Sequence, residues 1–128
     1  MNTYLEQLVL ELDLTFQIFN LYRGKTIVAK CQYLKITNTT GIIGDLIVYK
    51  RFRRRGFGSE LLQKVINETN TSLMLWVEND NKPAINLYRK HGFVTIGSDL
   101  HDGIECTILN RKRTCSKKTV KRLKVFAD

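Results

Sequence analysis

Residues 46–62 read LIVYKRFRRRGFGSELL: an apolar strand, five basic side chains in positions 50–55, two glycines one residue apart, then apolar residues at helical spacing. An anion held at a strand-to-helix junction needs main-chain N–H groups aimed at it. Glycines let the chain come close, and basic side chains add charge. Arg53 to Gly58, RRRGFG, supplies all three. No Gly-Lys-Ser/Thr follows, so this is not a Walker loop, and Leu61 stands three positions after Gly58, so it is not a dinucleotide fingerprint. The stretch therefore points to a phosphate, with a merely solvated basic turn as the plainer alternative.

Working outward, the chain alternates strand and helix signals. Leu8, Leu10, Leu12 and Leu14 recur at every second position and Phe16 and Ile18 extend the pattern, although residues 4–12 also suit a short helix. YRGKT at 22–26 reads as a turn into the strand TIVAKCQYLKIT, giving an antiparallel hairpin. GIIGDLIVY, 41–49, is a third strand. From Phe57 the apolar residues Leu61, Leu62, Val65 and Ile66 share one helical face, which NETNTS ends. SLMLWV, 72–77, reads as a buried strand. Asn81 with Pro83 two residues later marks a second helix start, Ala84, Ile85 and Tyr88 its inner face, and Gly92 its stop. Residues 93–97 and 104–110 are the closing strands, with His101 in the loop between them.

At 128 residues, 43% apolar and 26% charged, the chain fits one globular domain with a real core. No apolar run spans a bilayer and the acidic opening lacks a basic leader, so the expectation is a soluble protein in the cytoplasm with no membrane contact. Cys31, Cys106 and Cys115 form no CxxC pair, which argues against disulfides and against a metal site. Of the net charge of +9, residues 111–128 carry +7. The division expected is therefore a domain over 1–110 and a basic tail over 111–128.

Taken together, LIVYKRFRRRGFGSELL and VENDNKPAINLYRKHGF (77–93) closely resemble the GCN5-related N-acetyltransferase (GNAT) superfamily. Arg53, Gly56 and Gly58 match its first pattern; Asn81, Ala84, Leu87, Tyr88, Gly92 and Phe93 match its later one. The resemblance covers roughly residues 41–98. It implies a single-domain α/β (α+β) fold: a mixed, twisted sheet whose central strands splay to admit acetyl-CoA, with two principal helices and a shortened N-terminal region. It also implies that Arg53, Arg54, Arg55, Gly56, Phe57, Gly58 and Ser59 surround the pyrophosphate, that Leu46, Ile47 and Val48 bond the pantetheine arm, and that Asn81 and Tyr88 touch the cofactor. Lys50 stands where the family often has Pro. The two helices usual between the family's first strands have no room in YRGKT, so the acceptor site must be built differently, a homodimer partner being one way.

Amide formation from a thioester needs a neutral amine, and a lysine-type amine of pKa near 10.4 is neutral in only about one molecule in 2,500 at pH 7. Asp45 is the best-placed acid in the sequence to bind the amine or take its proton, with Glu78 the second candidate. A polyamine-acetylating branch of the family has an acid at the place of Asp45, preceded by another acid where this chain has Gly44. The alternative for Asp45 is an ion pair on a neighbouring strand. Tyr88 matches the family's general-acid tyrosine; a phenol near pKa 10 is a weaker acid than a thiol near 8.5, so a hydrogen bond to the departing sulfur is the expected role. A purely core tyrosine, and an Asn81 that only caps its helix, are the alternatives. His91 reads as a helix C-terminal cation, Trp76 and Phe57 as core residues, and Cys31 and Cys106 as buried and inert. The functional expectation is an acetyl-CoA-dependent N-acetyltransferase acting on a protein lysine, an N-terminus or a small amine such as a polyamine. The competing class is an inactive relative that recruits nucleic acid or an acidic protein through the tail.

Overall fold

The computed structural model describes residue 14 and residues 16–114. Strands β1 (Gln17–Arg23) and β2 (Thr26–Lys35) form an antiparallel hairpin turned at Gly24, whose φ of 63° favours glycine. β3 (Thr40–Val48) returns antiparallel to β2. A 3-10 turn (Lys50–Phe52) and helix α1 (Phe57–Thr69) then carry the chain to β4 (Ser72–Glu78), which runs parallel to β3. Helix α2 (Lys82–Lys90) leads to β5 (Val94–His101), and β6 (Ile104–Arg111) inserts between β4 and β5. The sheet order is β1-β2-β3-β4-β6-β5, mixed in direction with a single parallel pair.

Each helix forms for local reasons. In α1 the buried residues are Leu61, Leu62, Val65 and Ile66, the expected stripe, and the helix ends where Asn70 takes a left-handed φ of 49° and its N–H reaches the Ile66 carbonyl. It thus runs through Asn67–Thr69, three residues into the segment read as its terminator. In α2 the Asn81 side chain accepts the Ala84 N–H and Pro83 lies in the first turn. Its far end closes with Gly92 at φ 90°, the Phe93 N–H on the Tyr88 carbonyl and the Gly92 N–H on the Arg89 carbonyl. That bond pair is the glycine-terminated helix stop the sequence suggested.

One cluster of buried side chains joins both helices to a sheet face. It includes Val28, Cys31, Ile43, Leu61, Leu62, Val65, Leu73, Leu75, Ile85, Phe93 and Leu109. Leu34 and Ile42, alternating with these along their strands, lie on the opposite face with Leu14, Phe16, Ile36 and Trp76. Arg111, read from the sequence as the first residue of the tail, closes β6, and the Arg113 N–H donates to Ser72 Oγ. The helix-or-strand reading of residues 4–12 and the tail beyond Thr114 lie outside the described residues. Among the described residues no helix is long and apolar enough to cross a membrane.

The Tyr33 ring lies directly over Gly41, where a Cβ would collide with it, and its hydroxyl shares a hydrogen bond with the buried Thr71 Oγ1 at 3.1 Å. This contact braces β2 against the few residues that pair β3 with β4. Gly41→Ala should therefore cost about 1–3 kcal/mol of stability in urea unfolding, as overpacking does. An unchanged urea midpoint would show that the ring can move aside freely.

Candidate active site

β3 and β4 are paired only through Thr40–Ser72, Gly41–Leu73 and Ile42–Met74. Beyond these they part. The cause lies in β3: between the pairs Tyr33–Ile43 and Cys31–Leu46, Gly44 and Asp45 stand opposite the single residue Gln32. This extra residue is a β-bulge, which bends its strand and re-aims the side chains beside it. β3 then follows β2 while β4 follows β6, and between them opens a cleft of about 660 Å³. Asp45, Leu46 and Ile47 line one wall, Trp76 and Glu78 the other; Asn81, Ala84 and Tyr88 come from α2. Strand edges that part inside a sheet leave N–H and C=O groups facing a gap, where an amide-bearing ligand can pair with them.

Tyr88 is at once a packing residue and part of the cleft wall. Its ring packs edge-on against Phe93 with centroids 5.4 Å apart, only 6% of the residue is exposed, and it also lines the cleft. Burial, with smaller contributions from Cys31 and Asp45, pushes the phenol's pKa well above its ordinary value of 10. The hydroxyl therefore keeps its proton over the whole working pH range and is available as a hydrogen-bond donor. Burial also pushes the Cys31 thiol up to about 12, assisted by Asp45, so it is neither thiolate nor nucleophile at neutral pH.

At the far end of β3 lies the basic loop. The first bond inside α1 runs from the Glu60 N–H to the Gly56 carbonyl, so the amides of Phe57, Gly58 and Ser59 have no acceptor within the helix. Gly56 at φ 80° and Arg54 at φ 65° turn the chain into this end. For an arginine that conformation costs about 1 kcal/mol or more, which the surrounding structure must offset. Arg53, though exposed, is tied back to β3: its Nε donates to the Val48 carbonyl at 3.1 Å. Gly58 packs closely against α2 and β3: a Cβ there would sit 3.4 Å from Val48 and 3.5 Å from Leu87, in ordinary van der Waals contact. Arg23 pairs with Glu60 and lies 4.8 Å from the centroid of the Phe57 ring.

The structure thus gathers Asp45, Leu46, Ile47, Glu78, Asn81 and Tyr88 around one cleft, and places Val48 and the loop Arg53–Ser59 at the end of its β3 wall. Trp76, read as core, is half-buried and lines the cleft too. His101, read as a loop residue, ends β5 and lines the cleft with Asp102. Asp102 at φ 51° and Gly103 at φ 80° make a two-residue hairpin turn. Asp-Gly between strands is a strong hairpin signal and could have extended both strands to it. His91, read as a cation, is held below the usual histidine range by burial and by Arg111, so it is neutral at neutral pH. Cys31 and Cys106 are buried, as expected.

The model of the acetyltransferase (GNAT) family matches residues 2–93, most of the chain, and the protein belongs to that family. The ribosomal-protein-S18-alanine N-acetyltransferase of Escherichia coli superposes with a TM-score of 0.71 at 21% identity, covering 80% of this chain and 72% of that one. A GNAT family acetyltransferase from Elizabethkingia anophelis with acetyl-CoA bound gives 0.67 at 16% identity, covering 87% and 83%. An acetyltransferase of Bacillus subtilis in complex with CoA gives 0.70 at 18%, covering 87% and 84%. No curated protein sequence matches the chain.

The buried, protonated state of Cys31 is directly testable. In the native protein at pH 8, iodoacetamide should leave Cys31 unmodified over hours and label it fully after denaturation, as read by peptide mass spectrometry. Rapid native labelling would contradict the placement of this thiol in the buried core.

Proposed function

We propose that this protein is an acetyl-CoA-dependent N-acetyltransferase that acetylates a cationic primary amine by direct attack in a ternary complex. One observation carries the reading: the opening between β3 and β4 is lined by Tyr88 and by the carboxylates of Asp45, Glu78 and Asp102, while no lysine or arginine is among its described lining residues. An acidic lining attracts an ammonium group and repels an anionic acceptor. A polyamine, a lysine side chain and a protein N-terminus all have this chemistry.

The residues present fit the cofactor. The edge of β3 at Leu46–Val48 that does not pair with β4 offers main-chain partners to the amides of a pantetheine arm, the Val48 carbonyl being held by Arg53, and the Phe57–Ser59 amides at the start of α1 offer donors to a pyrophosphate. Arg54 and Arg55 add charge beside them. Bound there, acetyl-CoA supplies an activated acyl group as a thioester. No acyl-enzyme intermediate is needed, and Cys106, the cysteine that lines the opening, is held above the ordinary thiol range by burial, with Glu78 and Asp99 adding to it.

Asp45 and Glu78 lie on the two walls of the opening. Either carboxylate can hold the incoming ammonium and accept its first proton, directly or through water, as the nitrogen becomes nucleophilic; the second proton leaves the nitrogen for water once the C–N bond has formed and as the C–S bond breaks. Tyr88 stabilises the departing sulfur by donating a hydrogen bond; its raised pKa makes complete proton transfer unfavourable, so the thiolate leaves hydrogen-bonded and takes its proton later from solvent. Asn81, already capping α2, faces the same space with its amide.

Cofactor binding is measured by titration calorimetry, and turnover by CoA release with a panel of polyamines, lysine peptides and peptides with a free alanine amine, the acceptor named for the E. coli neighbour. Tyr88→Phe should lower kcat by roughly ten- to a thousandfold with little change in acetyl-CoA affinity. Asp45→Asn should change the acceptor KM and the pH profile first. A protein that binds no acetyl-CoA would overturn the proposed function, and a Tyr88→Phe variant with unchanged kcat when chemistry limits the rate would return Tyr88 to a packing role.

A further inference from the structure

A chain of side-chain hydrogen bonds lies beside the loop and outside the cleft. Ser59 Oγ is 2.7 Å from His91 Nε2, His91 Nδ1 is 3.2 Å from Gln63 Oε1, and Gln63 Nε2 donates to Asn67 Oδ1 at 2.9 Å. With the Gln63 amide nitrogen on Asn67 Oδ1, its oxygen faces the imidazole, where an Nδ1–H donates to it. Neutral His91 therefore carries its proton on Nδ1 and leaves Nε2 as an acceptor. The only hydrogen available to that acceptor is the Ser59 hydroxyl's own.

Ser59 is the third residue of α1, and its amide is one of the three at the helix start without an internal acceptor. With its hydroxyl proton committed to His91, its oxygen presents lone pairs to any anion approaching those amides. Protonating His91 reverses this: Nε2–H donates to Oγ, and the Ser59 hydroxyl is free to donate outward. We propose that His91 is a positioning residue for cofactor binding, setting through Ser59 whether the helix start presents a hydroxyl donor or a lone pair to the pyrophosphate. This rests on the reading that the Arg53–Ser59 loop holds that group.

Charged groups face His91 from the elements packed against it. Glu60, Lys64 and Glu68 of α1 line the same hollow as His91; Glu60 is engaged by Arg23, and the Lys64 Nζ donates to the Asn20 carbonyl. From β6 the Arg111 Nε donates to the His91 carbonyl at 2.8 Å. On its own helix, Arg89 reaches Thr95 Oγ1 and Lys90 is exposed. Burial and Arg111 lower the His91 pKa in the free protein. An anion that gains a donor from the protonated state raises it again on binding, so binding takes up a proton and strengthens as pH falls through the titration of His91.

The test uses the full chain and two readouts. Long-range nitrogen-proton NMR of the imidazole at pH 7.5, without ligand, should show the Nδ1–H tautomer; an Nε2–H tautomer overturns the proposal. Calorimetry with dephospho-CoA, which keeps the pyrophosphate but lacks the titrating 3′-phosphate, is run in two buffers of different ionisation enthalpy. Binding near pH 6 should take up a fraction of a proton, and affinity should be roughly three- to tenfold higher at pH 5.5 than at pH 8, the effect of one net hydrogen bond. His91→Gln should abolish the uptake. Ser59→Ala should weaken binding at pH 5.5 and remove most of the pH dependence. Undiminished pH dependence in Ser59→Ala would mean that His91 acts on the anion by charge alone, and a flat profile in the unmodified protein would mean that it does not act; either overturns the proposal. Absence of dephospho-CoA binding at every pH would overturn the cofactor reading and this proposal with it, whereas binding without pH dependence overturns the proposal alone.

Discussion

The three pairs Thr40–Ser72, Gly41–Leu73 and Ile42–Met74 hold β3 parallel to β4, and the extra residue at Gly44–Asp45 ends that pairing. A longer ladder would close the sheet and satisfy its backbone, but it would leave no gap. A shorter one would divide the sheet into two halves. The bulge converts a continuous sheet into a V whose arms stay anchored by β2 on one side and β6 on the other. Asp45, Tyr88 and the free strand edges take their places from that divergence.

The chemistry follows from how unevenly water reaches the opening. Tyr88 and Cys31 sit where burial disfavours their ionised forms, so both stay protonated. Glu78, at the end of β4, is exposed. A donor held in the dry part and a carboxylate at the wet rim match what aminolysis of a thioester requires: stabilisation of the leaving sulfur inside and an exit for the amine's proton outside.

Much of the architecture was legible because its signals are local. The Asn81 cap, the Gly92 stop, the four-residue apolar stripe of α1 and the glycines of the loop each specify their own backbone through rotamer, capping or φ requirements. The roles proposed for Tyr88 and the loop come from the resemblance, which supplied the long-range pairing that periodicity lacks. What the sequence did not disclose depends on register. The bulge is visible only once Gln32 is known to face two residues, and the Ser59–His91–Gln63 chain needs α1 and α2 brought together 28 to 32 positions apart. His101 is different: the Asp-Gly turn beside it was readable, and the strands were ended too early.

The central claim is that the parted edge of β3 and the start of α1 together take one extended ligand. Hydrogen exchange of individual amides, followed by NMR with and without acetyl-CoA, tests it without reference to turnover. Exchange should slow at amides within Leu46–Val48 and at Phe57, Gly58 and Ser59, while the β1–β2 hairpin turn stays unchanged. Slowing confined to other segments, or no change at either place with the ligand present in excess, would contradict the account.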